Sequence, residues 1–346
     1  MHLRTRILPI TLGLASILAC GESEPSEQAS DALTGDQLLG STTTLNAGLS
    51  CGKLYSGASA SYLEILRTGP LTLHAGQAIY AQARLTVTSN SNDNQMVVIR
   101  VRAVDAAGHD VHTYETLYGG RNHIGKDSWA DKAIFSGMLY RPTAEETLSF
   151  VVEGRAGQTG CGPGPTTYCT AATGCGTESL NIVTGAGYTY LSVWSVDPAS
   201  VHASRFTTWA AGYANLTTAN SPYKIFNNVS LTVPAGKSSV DVTVMSGNTM
   251  DNTLPTTQGN WRLHLAGGGQ DAYFPSVSGL TTSISRAEHH HQILLEGHLG
   301  GLSPGQVVTA TYEVETITAP PAYLHVDTGY AGVASSQTAM FMVPKP

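Results

Sequence analysis

The chain has 346 residues, 41% hydrophobic and 12% charged, with 18 Lys and Arg against 25 Asp and Glu for a formal net charge of −7. An acidic balance without clustered Lys or Arg excludes binding to nucleic acid through its phosphates, which needs a basic patch. Few charges, together with abundant Gly, Ser, Thr and Ala, suit an extracellular β-rich protein better than a cytosolic helical one.

The first predicted element is an export signal. Arg4 and Arg6 precede a largely apolar stretch from Ile7 to Ala19. Spanning a bilayer takes roughly 20 apolar residues, so this stretch is too short. It has the character of the apolar region of a signal peptide. The run Ile17-Leu18-Ala19-Cys20 resembles the lipobox of bacterial lipoproteins. That resemblance implies a signal peptide over 1–19, lipidation of the Cys20 thiol, and a membrane partner through the lipid anchor. It places the protein in the bacterial cell envelope. Gly21 after the cysteine, rather than Asp, favours the outer membrane by the sorting rule of lipoproteins. Residues 20–48 are acidic, rich in Ser and Thr and poor in apolar side chains, so they read as a flexible tether. No second apolar run is long enough to cross a membrane.

Beyond the tether run about 300 residues, more than one core usually holds, so two domains are expected. The predicted boundaries are 49–210 and 211–346, with a Cys-rich insertion at 155–180. Strands are predicted over Ile79 to Ser89, Met96 to Val104 and Phe150 to Val152 in the first half. The second half repeats the signal over Ser239 to Met245, Trp261 to Leu265 and Val307 to Val314. Turn clusters rich in Asn, Gly and Pro separate them, and no helical periodicity follows residue 50. The fold class is all-β, with two tandem antiparallel β-sandwiches.

The halves are internal repeats. Leu71-Thr72-Leu73-His74-Ala75-Gly76 matches Leu231-Thr232-Val233-Pro234-Ala235-Gly236, and Phe135 to Leu139 matches Leu295 to Leu299, both 160 residues apart. Tyr190-Leu191-Ser192-Val193 matches Tyr323-Leu324-His325-Val326 only 133 residues on, which predicts 27 extra residues in the first copy. The sequence of a Pro-Ala-Gly turn, alternating strand, long middle, apolar strand, Pro-Gly and aromatic closing strand resembles the jelly roll of C1q/TNF-like domains. The resemblance implies recognition domains, often homotrimers, with no shared catalytic residues.

Of five cysteines, Cys20 is taken by the anchor. Cys51, Cys161, Cys169 and Cys175 remain, an even number that predicts two disulfides in an exported chain, with three connectivities open. A zinc site would want closer pairs than the gaps of seven and five residues here.

Candidate chemistry centres on His289, His290 and His291 with Glu296 and His298. Two His at i and i+2 of a strand point the same way, the usual arrangement for paired imidazole ligands. Strand parity puts His289 and His291 on one face and His290, Glu296 and His298 on the other. Cupins share the jelly-roll shape and a His-x-His motif, but Ser283 and Ser303 stand where that motif needs Gly. The first copy also has Trp129 and Asp131 in place of His289 and His291. A zinc site would use His289 and His291, or the trio His290, Glu296 and His298. His109 and His112 form a weaker cluster in a turn. Calcium would need six to eight oxygens, and Asn90 to Asn94, or Asn248, Asp251 and Asn252, offer few carboxylates. No Gly-x-Ser-x-Gly elbow precedes a helix. Tyr188, Tyr190, Tyr213, Tyr223, Tyr273, Tyr323 and Tyr330 fall at strand ends, where Tyr can anchor protein or carbohydrate ligands.

The sequence therefore reads as a lipid-anchored envelope protein that binds an extracellular protein or carbohydrate through the loops at the ends of its sandwiches, without catalysis or a required cofactor. The alternatives are a trimeric surface-assembly protein, and a metal-binding protein or metal-dependent enzyme using His289 and His291.

Overall fold

Period-two patterning decides the first outer sheet. In the strand Gln95–Val104, Val97, Ile99, Val101 and Ala103 are buried in a core, while Arg100 and Arg102 face away from it. A strand alternates its side chains between faces, so this sequence can only line one side of a core. A computed structural model of the chain describes residues 37–47, 53–55, 62–89, 95–110, 114, 116–124, 132–158, 179–184, 187–196, 198, 201–205, 213–216, 223–250, 256–285, 290–317, 324–327 and 338–346.

The first sandwich has an inner and an outer sheet. The inner sheet is built on β5 (Ala78–Ser89). β9 (Lys132–Tyr140) pairs with β5 along one edge and carries β7 (Thr116–Tyr118) beyond it. Along the other edge lie β12 (Tyr190–Val196) and β11 (Ser179–Ile182), flanked by β1 (Gln37–Thr42) and β2 (Lys53–Tyr55). The outer sheet centres on β10 (Glu146–Gln158), which pairs with β3 (Leu63–Arg67), β4 (Leu71–Leu73) and β6 (Gln95–Val104). β8 (Gly120–Ile124) closes its far side.

The second sandwich repeats the plan. Its inner sheet is built on β16 (Ser239–Met250), paired with β20 (His290–Leu299), β22 (Leu324–Asp327) and β23 (Ala339–Lys345). β13 (His202–Arg205) and β14 (Tyr213–Leu216) flank β23 and β22. Its outer sheet holds β15 (Lys224–Thr232), β21 (Val307–Thr316), β17 (Thr256–Gly267), β18 (Gln270–Phe274) and β19 (Leu280–Ser285). All described pairings are antiparallel, and the double-sheet plan is a tandem jelly roll. Each sandwich buries its own core, around Ile65, Ile99 and Phe150 in the first and around Trp261, Leu263 and Tyr312 in the second.

The repeat is deeper than the short sequence matches showed. Each outer sheet carries the same ladder on its exposed face. In the first, the Tyr62 ring lies 4.0 Å from the Arg100 guanidinium, and Arg100 and Arg102 both pair with Glu153, with Arg102 also reaching Asp110. In the second, Tyr223 lies 3.7 Å from Arg262, Arg262 pairs with Glu313, and His264 stands where Arg102 stood, bonded to Asp271. Planar guanidinium groups stacked on aromatic faces and forked onto carboxylates hold such a ladder.

Several sequence boundaries move. Gln37–Thr42, read as tether, is strand β1; Gln37 pairs with Ser195, and Leu39 packs on the first core. The second sandwich starts with β13, before residue 211, because β13 completes the sheet edge at β23. Tyr190–Val193 corresponds to β23, not to Tyr323–Val326. Both β12 and β23 pair with the starts of β5 and β16, whereas β22, like β11, pairs with their ends. The 133-residue match was compositional, and the count of 27 inserted residues falls with it. The insertion itself is narrower than 155–180, since β10 continues to Gln158 and β11 begins at Ser179.

The two inner sheets pack face to face. Ala78, Tyr80, Tyr118 and Leu139 from the first meet Met245, Ala339, Phe341 and Val343 from the second in one buried cluster. Gly137 permits this approach: a Cβ there would lie 3.2 Å from Met245 Cε and 3.3 Å from the Phe341 ring. At the cluster's edge Gln292 of β20 reaches across. Its amide oxygen accepts from Phe135 N–H at 2.7 Å, and its amide nitrogen donates to Phe135 C=O at 2.8 Å and to the Tyr118 hydroxyl at 2.7 Å. This side chain finishes the hydrogen bonding of a strand in the other sandwich. Gln292→Ala leaves those buried groups without it and is expected to cost about 1–3 kcal/mol. Chemical denaturation of the two proteins measures the difference; equal midpoints would contradict this role.

Candidate functional site

The face shared by the inner sheets also builds a groove. Antiparallel register sets Asp241 opposite His298, Thr243 opposite Glu296 and Met245 opposite Leu294. Met245 and Leu294 join the inter-sandwich cluster. Side chains two residues along a strand share its face, so Thr243 and Glu296, then Asp241 and His298, continue the same surface outward. On the facing sheet the register sets Tyr80 opposite Trp194 and Ala78 opposite Val196. Between them lies a cavity of about 450 Å³.

Its two walls differ. The first sandwich contributes Tyr80, Trp194 and Val196, with the amide of Gln82. The Tyr80 and Trp194 rings stack with centroids 6.1 Å apart and planes 21° apart, and Phe341 backs Tyr80 at 5.1 Å. The second sandwich contributes Asp241, Thr243, Glu296, His298, Val343 and Lys345, with Phe274 beside Gly297. The missing side chain at Gly297 makes room for Phe274, whose Cδ2 would lie 2.8 Å from a Cβ there.

The groove has a charged rim of Asp241, Glu296, His298 and Lys345 over an aromatic floor. His298 Nδ1 and Asp241 Oδ1 lie 2.7 Å apart, with side chains 61% and 47% exposed. Burial pushes the Tyr80 hydroxyl above the ordinary phenol range; a Thr243 hydrogen bond opposes this, and the Glu296 charge adds to it. Burial also raises Tyr190, again with help from Glu296 and against Arg84. One carboxylate on β20 is thus felt by two tyrosines of the other sandwich. Asp241, Glu296 and His298 stay open to water. The arrangement suits holding a small ligand that has an apolar face and polar edges.

The histidine cluster divides as strand parity requires. β20 runs without a break in register from His290 to Leu299, so His291 and Glu296 point to opposite sides. His291 faces the second core, where burial, then Lys132, lowers its pKa to about 4. His290 pairs with Thr249 in register, and His289 lies outside the described residues. Glu296 and His298 are brought together, with Asp241 as a third partner that the sequence did not suggest. Among the described residues no group of three or more His, Cys, Asp or Glu is placed to hold a metal ion.

The remaining candidates fall elsewhere. Cys20, Cys51, Cys161, Cys169 and Cys175, like His112, Asp251 and Asn252, lie outside the described residues. Asn248 belongs to a strand rather than a loop, and its Oδ1 accepts from the buried Trp261 indole at 3.0 Å. His109 closes a turn around Asp105. There the His109 backbone N–H, foremost, holds the Asp105 carboxyl below the ordinary carboxylate range. Tyr223 and Tyr273 belong to the outer-sheet ladder, with Tyr273 stacked on His264 at 4.3 Å. Tyr80, Trp194, Asp241 and Phe274 were missed. The face of β5 that carries Tyr80 also carries Gln82 and Arg84, so in sequence it reads as a wet face.

No family model matches the chain, and no curated protein matches it. Among solved structures, the infectious bursal disease virus Gx strain particle is similar at 11% identity, over 90% of this chain and 73% of that one, with a TM-score of 0.21. The Gt strain of the same virus gives 10%, 93%, 80% and 0.22. The T13 particle of that virus gives 9%, 90%, 72% and 0.23. Likeness at this level says nothing about what this chain binds or how it assembles.

Proposed function

We propose that the protein is a lipid-anchored cell-envelope binding protein, attached through Cys20, whose ligand site is the groove between its two sandwiches. The observation that carries this reading is the opposition of Tyr80 and Trp194 on one wall to Asp241, Glu296 and His298 on the other. A concave site with an apolar floor and a few convergent polar groups is the common form of a small-ligand site. Both walls come from strands of packed sheets rather than from end loops, so the site is held in shape before the ligand arrives.

The test uses the full chain with Cys20→Ser, applied to an array of envelope and extracellular polysaccharides and proteins. Thr243→Trp fills the groove from β16 and leaves the loops at the ends of the sandwiches unchanged. Wild-type protein is expected to be retained on at least one component, and the variant to lose that retention at least about tenfold, the loss of roughly 1.4 kcal/mol. Equal retention of both proteins would overturn the reading.

A further inference from the structure

We propose that the groove takes a neutral saccharide of one or two rings, laid with its C–H face on Trp194 and its hydroxyls toward Glu296, Asp241 and Gln82. This rests on the groove being the ligand site and adds the chemistry of what enters it.

The two walls select a ligand that is itself two-sided. Tyr80 and Trp194 offer ring faces, and Trp194 is only partly buried while Tyr80 is 7% exposed. Trp194 is therefore the ring a ligand can cover, with Tyr80 and Phe341 fixing it from behind. A pyranose has an apolar C–H face and an edge of hydroxyls, which matches an aromatic wall set against a polar one. An apolar ligand would strip water from Asp241 and Glu296 without replacing its hydrogen bonds, at a cost in free energy.

The polar wall also selects by hydrogen-bond type and by charge. Carboxylates only accept, whereas the buried Gln82 amide, whose Oε1 already accepts from the Tyr80 hydroxyl at 3.5 Å, has N–H groups to donate. Hydroxyls do both, so one sugar edge can satisfy this mixed set. Asp241 and Glu296 repel an anionic sugar. A cationic ligand would in turn meet Lys345 on the same wall. Neutral hydroxyls suffer from neither. Size sets the length: about 450 Å³ sits toward the low end of the roughly 300–1,000 Å³ of small-ligand sites, too little for a folded partner.

The experiment titrates the full chain carrying Cys20→Ser with cellobiose, maltose, di-N-acetylchitobiose and digalacturonic acid, followed by calorimetry and by tryptophan fluorescence. At least one neutral disaccharide is expected to bind saturably at millimolar concentration or below. Digalacturonic acid is expected not to bind. Glu296→Gln, which removes a charged acceptor, and Trp194→Ala, which removes the stacking face, should each weaken binding at least about tenfold. Glu296 is exposed, so its variant is expected to keep the wild-type unfolding midpoint and report on binding alone. Failure of all three neutral disaccharides to bind overturns the saccharide proposal; array retention that still depends on Thr243 would then leave the groove standing as the site of another ligand. Tighter binding of digalacturonic acid than of the neutral sugars also overturns it. Disaccharide binding indifferent to Trp194→Ala, Glu296→Gln and Thr243→Trp overturns both the saccharide proposal and the assignment of the groove.

Discussion

Trp261→Ala is expected to cost the second sandwich about 3–5 kcal/mol, the range for emptying a fully buried aromatic site. Trp261 is 0% exposed and lies at the centre of that core, opposite Val314 on β21. Its indole N–H donates to Asn248 Oδ1 at 3.0 Å, and the Asn248 amide reaches back to Ser246 C=O at 3.2 Å. Deleting the ring opens a cavity, and it also leaves a buried amide oxygen without its donor. A domain is stable by only about 5–15 kcal/mol, so much of the margin would go. Trp261→Phe keeps most of the volume and should lose less. Urea unfolding followed by circular dichroism measures both. A Trp261→Ala unfolding free energy within about 1 kcal/mol of wild type would show that this core is not packed as described.

Acid is expected to destabilise the fold through His291. Burial, and to a lesser extent Lys132, lowers its pKa to about 4 from the ordinary 6.5. Above pH 6.5 both folded and unfolded states carry a neutral ring, and the residue adds no pH dependence. Between 6.5 and about 4 the unfolded chain takes up a proton that the folded one refuses, so stability falls as pH falls. Below about 4 both states are protonated and the loss is complete, at about 3 kcal/mol from 1.36 kcal/mol per pKa unit. His291→Gln removes this component while other groups titrate as before. The stability difference between wild type and variant should therefore shift by about 3 kcal/mol from pH 7 to pH 4. Parallel pH curves would contradict a half-buried, neutral His291.

The sequence made individual strands legible wherever one face is wet. Arg100 and Arg102 between valines mark β6, and turn residues such as Gly108 and Gly305 end strands where a positive φ is needed. Strands wet on neither face were harder. Gln292, Glu296 and His298 sit on the polar side of β20, which reads as solvent-facing. That side instead faces the other sandwich, and Gln292 is 7% exposed. No local pattern distinguishes a polar residue facing water from one bonded across an interface.

The repeat was legible only where its residues recur unchanged. The pairing that defines it, of β12 and β11 along one edge of β5, joins segments about a hundred residues apart and leaves no local mark. That is why Tyr190–Val193 was matched to the wrong strand, and why β1 was lost in an acidic stretch whose Leu38 and Leu39 looked incidental. The groove was half legible. Glu296 and His298 stood out as chemistry, while their aromatic counterparts Tyr80 and Trp194 looked like ordinary strand residues. They became a site only when two sheets from two copies were brought face to face.

The most direct test of the groove is a crystal structure of the chain soaked with the disaccharide or other component that it retains. Ligand density between Trp194 and Glu296, displacing water from the Asp241–His298 rim, is the expected result. Density confined to the loops at the ends of the sandwiches, with the groove unchanged, would contradict the assignment.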